Sequence, residues 1–296
     1  MVDVVIVGGG PAGLSAGIYL ARASRETVIV DKGECTACKI DRLENYLGFP
    51  DGISGSVLVQ KGRKQAERFG CHIVPCEALA VRQEPDGNFH VETDNISYET
   101  RALILATGAL YKKPRIDNLA RYEGKGVAYC VQCDGFFFKD KPVLVLGSGN
   151  LAVKEIIDLV DYTKTITLLT DGGQLEVSGR FQKWLEQNPI PIRTEKVASV
   201  LGNDTVPGIQ FEDGTSVQGS GVFVALGSSG AVELARGLGA TISGQFVDVD
   251  RNYRTNIERV YAAGNCMGGH RQIAVAMGSG AEAAINLISE LRGIGS

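Results

Sequence analysis

No stretch of this 296-residue chain approaches eighteen consecutive apolar residues, which argues against a membrane-spanning helix. No charged segment and no cleavage site precede the first apolar strand, so the expected location is cytoplasmic. Positive charge is not in excess: 30 Lys and Arg stand against 34 Asp and Glu, and they are scattered rather than gathered into a basic stripe. Nucleic acid is therefore not an expected partner, and neither is a membrane. Histidine is scarce, and His72, His90 and His270 show no ligand spacing, so no metal site is expected. The seven cysteines are an odd number in a chain long enough for an ample core, which speaks against a secreted-type disulfide framework. What remains, 44% hydrophobic and 22% charged residues, is the balance of a globular protein with one large or two medium domains.

The apolar run Val2 to Val7 leads straight into Gly8-Gly9-Gly10-Pro11-Ala12-Gly13 and a helical stretch ending near Ala23. In this G-x-G-x-x-G turn Gly8 makes the tight bend, Gly10 lets a pyrophosphate approach the backbone, and Gly13 lets the helix pack on the strand. The helix N-terminus then faces the phosphates. A second strand, Thr27 to Val30, ends in Asp31, eighteen residues after Gly13, where a carboxylate can hold an adenosine ribose.

The pattern recurs about 140 residues later, where Val143 to Leu146 precede Gly147-Ser148-Gly149-Asn150-Leu151-Ala152, a helix, the strand Thr165 to Leu169, and Asp171. Further buried strands close on glycine turns at Ala106-Thr107-Gly108 and Gly227, and Val260 to Asn265 precede a small-residue helix from Ala274 to Leu287. The expectation is an α/β protein with two Rossmann-like, three-layer nucleotide-binding domains, the second inserted in the first. The outer domain would comprise residues 1–114 and 234–296, and the inserted one residues 115–233. The second copy could instead keep its glycines for packing alone.

Cys130-Val131-Gln132-Cys133 is followed at once by Asp134. A C-x-x-C in a nucleotide-binding protein reads as a redox dithiol, and exchange needs a thiolate to attack and an acid to protonate the leaving sulfur. Asp134 is the candidate proton donor and acceptor. One such pair supplies only two zinc ligands, with no His pair to complete the set. A second C-x-x-C, Cys35-Thr36-Ala37-Cys38, could be an auxiliary redox pair, a metal half-site or incidental thiols. Cys71 and Cys76 bracket a short strand whose ends would stand about 15 Å apart, so they should not pair. Cys266 is expected to be buried packing rather than a reactive thiol.

These pieces together resemble the low-molecular-weight thioredoxin reductases over nearly the whole chain: GGGPAGLSAGIYLARA, ENYLGFPDGISG, ILATGA, GVAYCVQCDGFFF, GVFVALG, RVYAAGN and RQIAVAMGSGAEAA occur in the family's order. The resemblance implies a homodimeric flavoprotein enzyme that exchanges electrons between FAD and the Cys130/Cys133 disulfide, and passes them to thioredoxin or a similar small dithiol protein. It implies that Gly8 to Gly13, Asp31, Asn45 and Val81 hold the adenine side and pyrophosphate. Asn265, Arg271, Gln272 and Ile273 would hold the ribityl chain and flavin ring, with Asn265 standing where the family usually has Asp. It assigns Cys133 to the flavin and Cys130 to the partner's disulfide.

One family feature is missing. NADPH-linked members carry a basic cluster after the second strand of the inserted domain, whereas this chain has Thr170-Asp171-Gly172 and then Glu176. A 2′-phosphate would meet two carboxylates instead of guanidiniums. Asp171 lies nineteen residues beyond Ala152, a placement that suits an unphosphorylated ribose. With Gly147, Gly149, Asn150 and Ala152 it would hold NADH or a second FAD; ferredoxin as donor is the other expected route. The competing readings are a dithiol oxidase using oxygen, an NADPH- or NADH-dependent reductase, and a flavin-bearing redox sensor without turnover.

Overall fold

The computed structural model describes residues 1–33, 35–108, 116–123, 125–129, 131–202, 206, 208–226, 230–244 and 246–293, with the side chains of Gln132 and Cys133 left aside. Cys130 lies outside the described residues. The chain divides into two compact units, Met1–Leu110 with Gly230–Ser296, and Tyr111–Ser229.

The first unit starts with strand β1 (Val2–Val7), helix α1 (Pro11–Arg22), β2 (Thr27–Val30), α2 (Gly55–Arg68) and β3 (His72–Val74). An antiparallel run β4 (Ala78–Gln83), β5 (Phe89–Thr93) and β6 (Tyr98–Leu105) follows. Val4 to Val7 of β1 and Val28 to Val30 of β2 are buried Val and Ile runs, as a parallel strand between helical layers requires.

The second unit contains β7 (Val127–Ala128), the single-turn α3 (Val131–Asp134), β8 (Val143–Leu146), α4 (Asn150–Leu159), β9 (Ile166–Leu169), α5 (Gly179–Gln187) and β10 (Ile192–Arg193). Next come β11 (Val197–Leu201), β12 (Gly208–Phe211), β13 (Ser216–Gln218) and β14 (Gly221–Val224). Its parallel sheet runs β10-β9-β8-β14-β7, and β11-β12-β13 form a separate antiparallel sheet.

The chain then re-enters the first unit as α6 (Ala231–Gly237), β15 (Ile242–Ser243), β16 (Phe246–Val247), β17 (Val260–Ala262) and α7 (Ile273–Leu291). The main sheet has the order β3-β2-β1-β6-β5-β4, and β17 pairs in parallel with the second half of β6. One face of this sheet is packed by α1, α2 and α7 around Ile6, Leu20, Ile29 and Ile104. The other is covered by α6 around Val5, Phe89, Leu103 and Leu234. Both units are thus Rossmann-like layers with short parallel strands.

The last helix runs four residues past the expected Leu287 because its final turn is pinned. Glu290 accepts from the Tyr261 hydroxyl at 2.5 Å and from the Arg259 backbone N–H at 3.2 Å. Helices α1 and α7 pack closely: a Cβ on Gly280 would stand 2.1 Å from the carbonyl oxygen of Ala12.

Candidate functional site

The first glycine turn is built for close approach. Gly8 has φ +112°, a conformation open to glycine and costly for other residues. A Cβ on Gly13 would stand 1.8 Å from the Gly8 carbonyl oxygen, so α1 touches the turn backbone. A Cβ on Gly10 would meet nothing within 4 Å, because that residue, the N-cap of α1, faces an open cleft.

The cleft, of about 220 Å³, joins four segments. Gly8, Gly9, Gly10, Pro11 and Ala12 form its floor, and Asp31 stands at the end of β2. Ala106, Thr107 and Gly108 follow β6, and Gly264, Asn265, Arg271, Gln272, Ile273 and Ala276 come from the turn after β17 and the start of α7. The remaining wall, Cys35, Thr36, Ala37 and Ile40, belongs to a loop that carries no recognisable nucleotide motif.

Asp31 leans over the turn, since its carboxylate would be 2.4 Å from a Cβ on Gly9. It is buried, forms an ion pair with Arg63 of α2, and accepts from the Gly33 N–H at 3.3 Å. Thr107 accepts the N–H of Ala231 through Oγ1 at 2.8 Å, tying the strand end to α6. Gly13 is a packing residue behind the cleft wall. Asn45 and Val81 also lie off the wall: Asn45 donates to the Gln272 side chain at 3.1 Å, and Val81 is core, paired with Val91.

In the second unit Gly147 packs as its counterpart does, with a Cβ there falling 2.2 Å from the Ala225 carbonyl oxygen. Gly149 is the N-cap of α4, and Ala152 is fully buried against the turn. The polar groups around this turn are held by the chain itself. Asn150 Oδ1 accepts from the Ser178 N–H at 2.8 Å, and the Ser148 carbonyl accepts from the Glu176 N–H at 2.8 Å. Asp171, at φ +54°, accepts from the Val197 N–H at 2.9 Å and from Lys196 Nζ at 2.8 Å. The predicted ribose acid is thereby committed to the start of β11.

Cys133 falls on α3, the helix turn that ends in the half-buried Asp134. The N-terminus of that turn is held from below: the Val131 N–H donates to Glu155 Oε2 at 2.9 Å. Glu155 is buried beside Lys154, whose ammonium lies 3.7 Å from it and 2.5 Å from Asp158. Burial raises the Glu155 carboxyl pKa above its ordinary value, while Lys154 and the Val131 N–H act against that shift. No sequence motif marks Glu155; its role shows only when α4 packs under α3. Beyond Asp134, Phe136 and Phe137 are exposed and pack edge to face.

Among the remaining cysteines, Cys71 and Cys76 are free thiols on opposite faces of the main sheet. Burial pushes Cys266 up to about 12, and its thiol donates to the carbonyls of Leu105 and Ala263. It is core packing. On the antiparallel strands, Glu84, His90 and Glu99 bring ligand atoms within 4.8 Å of one another, a grouping that sequence spacing did not reveal. Glu84 is already paired with Arg82 at 2.8 Å and His90 with Glu99 at 2.5 Å, so the group reads as a charge network.

The family model of pyridine nucleotide-disulphide oxidoreductases matches residues 2–280. The chain belongs to this family. Its relatives within the family include thioredoxin reductases: that of Streptomyces coelicolor is 32% identical over 96% of this chain and 92% of its own. Among solved structures, the atypical thioredoxin reductase TRi from Desulfovibrio vulgaris Hildenborough superposes with TM-score 0.95 at 38% identity, covering 99% of both chains. A ferredoxin-flavin thioredoxin reductase from Clostridium acetobutylicum gives TM-score 0.75 at 26% identity, covering 99% of this chain and 98% of its own.

The protein is therefore a flavoprotein disulfide oxidoreductase of the thioredoxin reductase type, a class in which FAD is the typical cofactor. The first unit fits that group. Its glycine turn leaves the space a pyrophosphate needs at Gly10, and α1 directs backbone N–H groups into the cleft. Among the described residues no helix is long and apolar enough to cross a membrane.

Proposed function

We propose that this enzyme reduces a protein disulfide, thioredoxin or a similar small dithiol protein, through FAD and the Cys130/Cys133 pair, with electrons that do not come from NADPH. The observation that carries the donor reading is the acidic turn after β9. Asp171 and Glu176 occupy the positions where a phosphate grip would need guanidiniums, and Asp171 is spent on Lys196 and Val197. The same commitment weighs against NADH or a second FAD using Gly147, Gly149, Asn150, Ala152 and Asp171. An electron-transfer protein such as ferredoxin, delivering electrons to the flavin of the first unit, is the favoured route, and the likeness to the ferredoxin-flavin enzyme supports it.

Bound FAD supplies a carrier that takes up electrons singly or in pairs and exchanges them with a dithiol. Gly8 to Ala12 would seat its pyrophosphate, Asp31 its adenosine ribose, and Asn265 with Arg271, Gln272 and Ile273 its ribityl and ring end. Cys133 would exchange with the flavin, Cys130 with the partner, and Asp134 would deliver and recover the proton that thiol–disulfide exchange moves. Phe136 and Phe137 offer an exposed apolar surface two residues past that acid, suited to a protein partner rather than to a small polar disulfide. A homodimer and a cytoplasmic location accompany this reading.

The test is a flavin count per chain followed by anaerobic addition of NADPH, NADH or reduced ferredoxin, with flavin absorbance recorded. One FAD per chain, bleached by reduced ferredoxin and by neither nucleotide, is the expected result. Rapid bleaching by NADPH would overturn the donor reading. Cys133→Ser should keep FAD and lose thioredoxin reduction; retained turnover would overturn the dithiol assignment.

A further inference from the structure

The loop that completes the cofactor cleft contains its own pair of thiols. Cys35 lines the cleft and Cys38 does not, and both are half-buried against the core of the first unit. A short 3-10 turn, Ala37–Lys39, connects them, and the Cys38 N–H donates to the Cys35 carbonyl at 3.1 Å. An i to i+3 turn of this kind keeps the two Cα atoms within about 7 Å, which overlaps the separation a disulfide spans. The side chains are close enough to interact as well, since Cys35 is among the groups that raise the Cys38 thiol. Cys71, Cys76 and Cys266 are instead buried singly in the sheet core.

We propose that Cys35 and Cys38 are a second thiol–disulfide pair, oxidised by low-molecular-weight disulfides, and that their closure loosens the cofactor cleft. Cys35, reachable from the cleft, attacks one sulfur of a small disulfide RSSR as thiolate, forming a mixed disulfide and releasing RS⁻, which takes up the Cys35 proton as RSH. Cys38 then gives up its proton and attacks the Cys35 sulfur, forming the intramolecular bond and expelling the second RSH. Two protein thiols lose two electrons and two protons, and RSSR gains both. The order follows from the site: burial and the neighbouring Cys35 push Cys38 up to about 12, so it holds its proton while Cys35 reacts first. Closure draws the Cys35 sulfur to about 2.05 Å from Cys38, a residue that does not line the cleft. The wall beside Asp31 then gives up contacts to the adenosine end of the cofactor.

The consequence for cofactor retention rests on the reading that this cleft holds FAD; the disulfide itself does not. Lys32 and Lys39 flank the pair, so trypsin releases residues 33–39 as one peptide, separate from residues 126–139 that carry Cys130 and Cys133. The holoprotein is equilibrated with reduced and oxidised glutathione, alkylated and digested. In oxidised glutathione the 33–39 peptide should be unalkylated and lighter by two hydrogens; in the reduced buffer it should carry two alkyl groups. Flavin fluorescence should show FAD leaving the oxidised protein about threefold faster, the size expected from a few lost dispersion contacts. That difference should disappear in Cys35→Ser/Cys38→Ser, while Cys38→Ser alone should trap glutathione on Cys35. Two alkylated thiols at every glutathione ratio would overturn the proposal, as would a persistent mixed disulfide in the native chain or equal FAD release in the two buffers. A preparation without flavin would fail the cofactor reading while leaving the peptide result intact.

Discussion

The two glycine turns of this molecule are alike in their close packing and opposite in use. In each, a glycine sits so close to a neighbouring carbonyl that a methyl group would clash, 1.8 Å at Gly13 and 2.2 Å at Gly147. Around the first turn the chain leaves space: Gly10 faces nothing, and Asp31 bends over the turn at the edge of a cleft. Around the second it fills its own hydrogen bonds, with Ser178 on Asn150, Glu176 on Ser148, and Lys196 and Val197 on Asp171. The lesson is that the glycine fingerprint reports how strand and helix pack. Both acids have partners, Arg63 and Gly33 on Asp31 and Lys196 and Val197 on Asp171, so what separates the turns is the open cleft beside Gly10.

The largest effect that tests this comparison is one both turns should share. Gly13→Ala and Gly147→Ala each force a methyl group into backbone, and each should cost about 3 kcal/mol or more in denaturant unfolding. A neutral result at either position would mean that the turn is looser than described. The turns should part company at the middle glycine of each fingerprint. Gly10→Val should change stability by only about 1 kcal/mol while reducing FAD affinity at least ~10-fold. Gly149→Val should leave FAD content as it is, and an equal loss there would make the second turn a flavin site.

A finer contrast concerns the two acids. Asp31→Ala should weaken FAD retention about 10-fold. Asp171→Ala should instead lower stability by about 1–2 kcal/mol, through the Val197 N–H it abandons, without changing turnover with reduced ferredoxin. Loss of turnover in Asp171→Ala would restore a nucleotide to the second unit.

The smallest effect is a slope. Burial first, opposed by Lys154 and the Val131 N–H, raises the Glu155 carboxyl from its ordinary 4.5 in the folded chain. A raised folded pKa means that the native state binds the extra proton, so this contribution is full below the unfolded pKa and is lost as pH rises through the folded one. Urea unfolding across that range should show Glu155→Gln with less decline than the wild type; parallel curves would show that Glu155 stays ionised throughout.

Much of the first unit was legible because its signals are local. The apolar runs of β1 and β2, the turn glycines and Asp31 each follow from neighbours within a few residues, as does β8 in the second unit. What escaped depends on partners distant in sequence. Asn45 meets Gln272, and Asp171 is claimed by β11, both through contacts that no pattern along the chain announces. The cleft wall at Thr36, Ala37 and Ile40 comes from a loop with no helical or strand period and no nucleotide motif, its C-x-x-C saying nothing of a cofactor. Glu155 reads in sequence as an ordinary helix carboxylate, and only tertiary packing under Val131 gives it a function.

The cleft draws on residues 8–12, 31–40, 106–108 and 264–276, so its last wall is separated from the others by the whole stretch Tyr111–Ser229. On a ribosome working at ~5–20 residues per second, the chain from the third wall to the fourth takes roughly eight to thirty seconds. The second unit, contiguous in the chain, can complete its sheet during that wait. Cofactor loading is therefore a late event in the life of each new molecule, and Cys130 and Cys133 are synthesised before the last wall of the cleft exists.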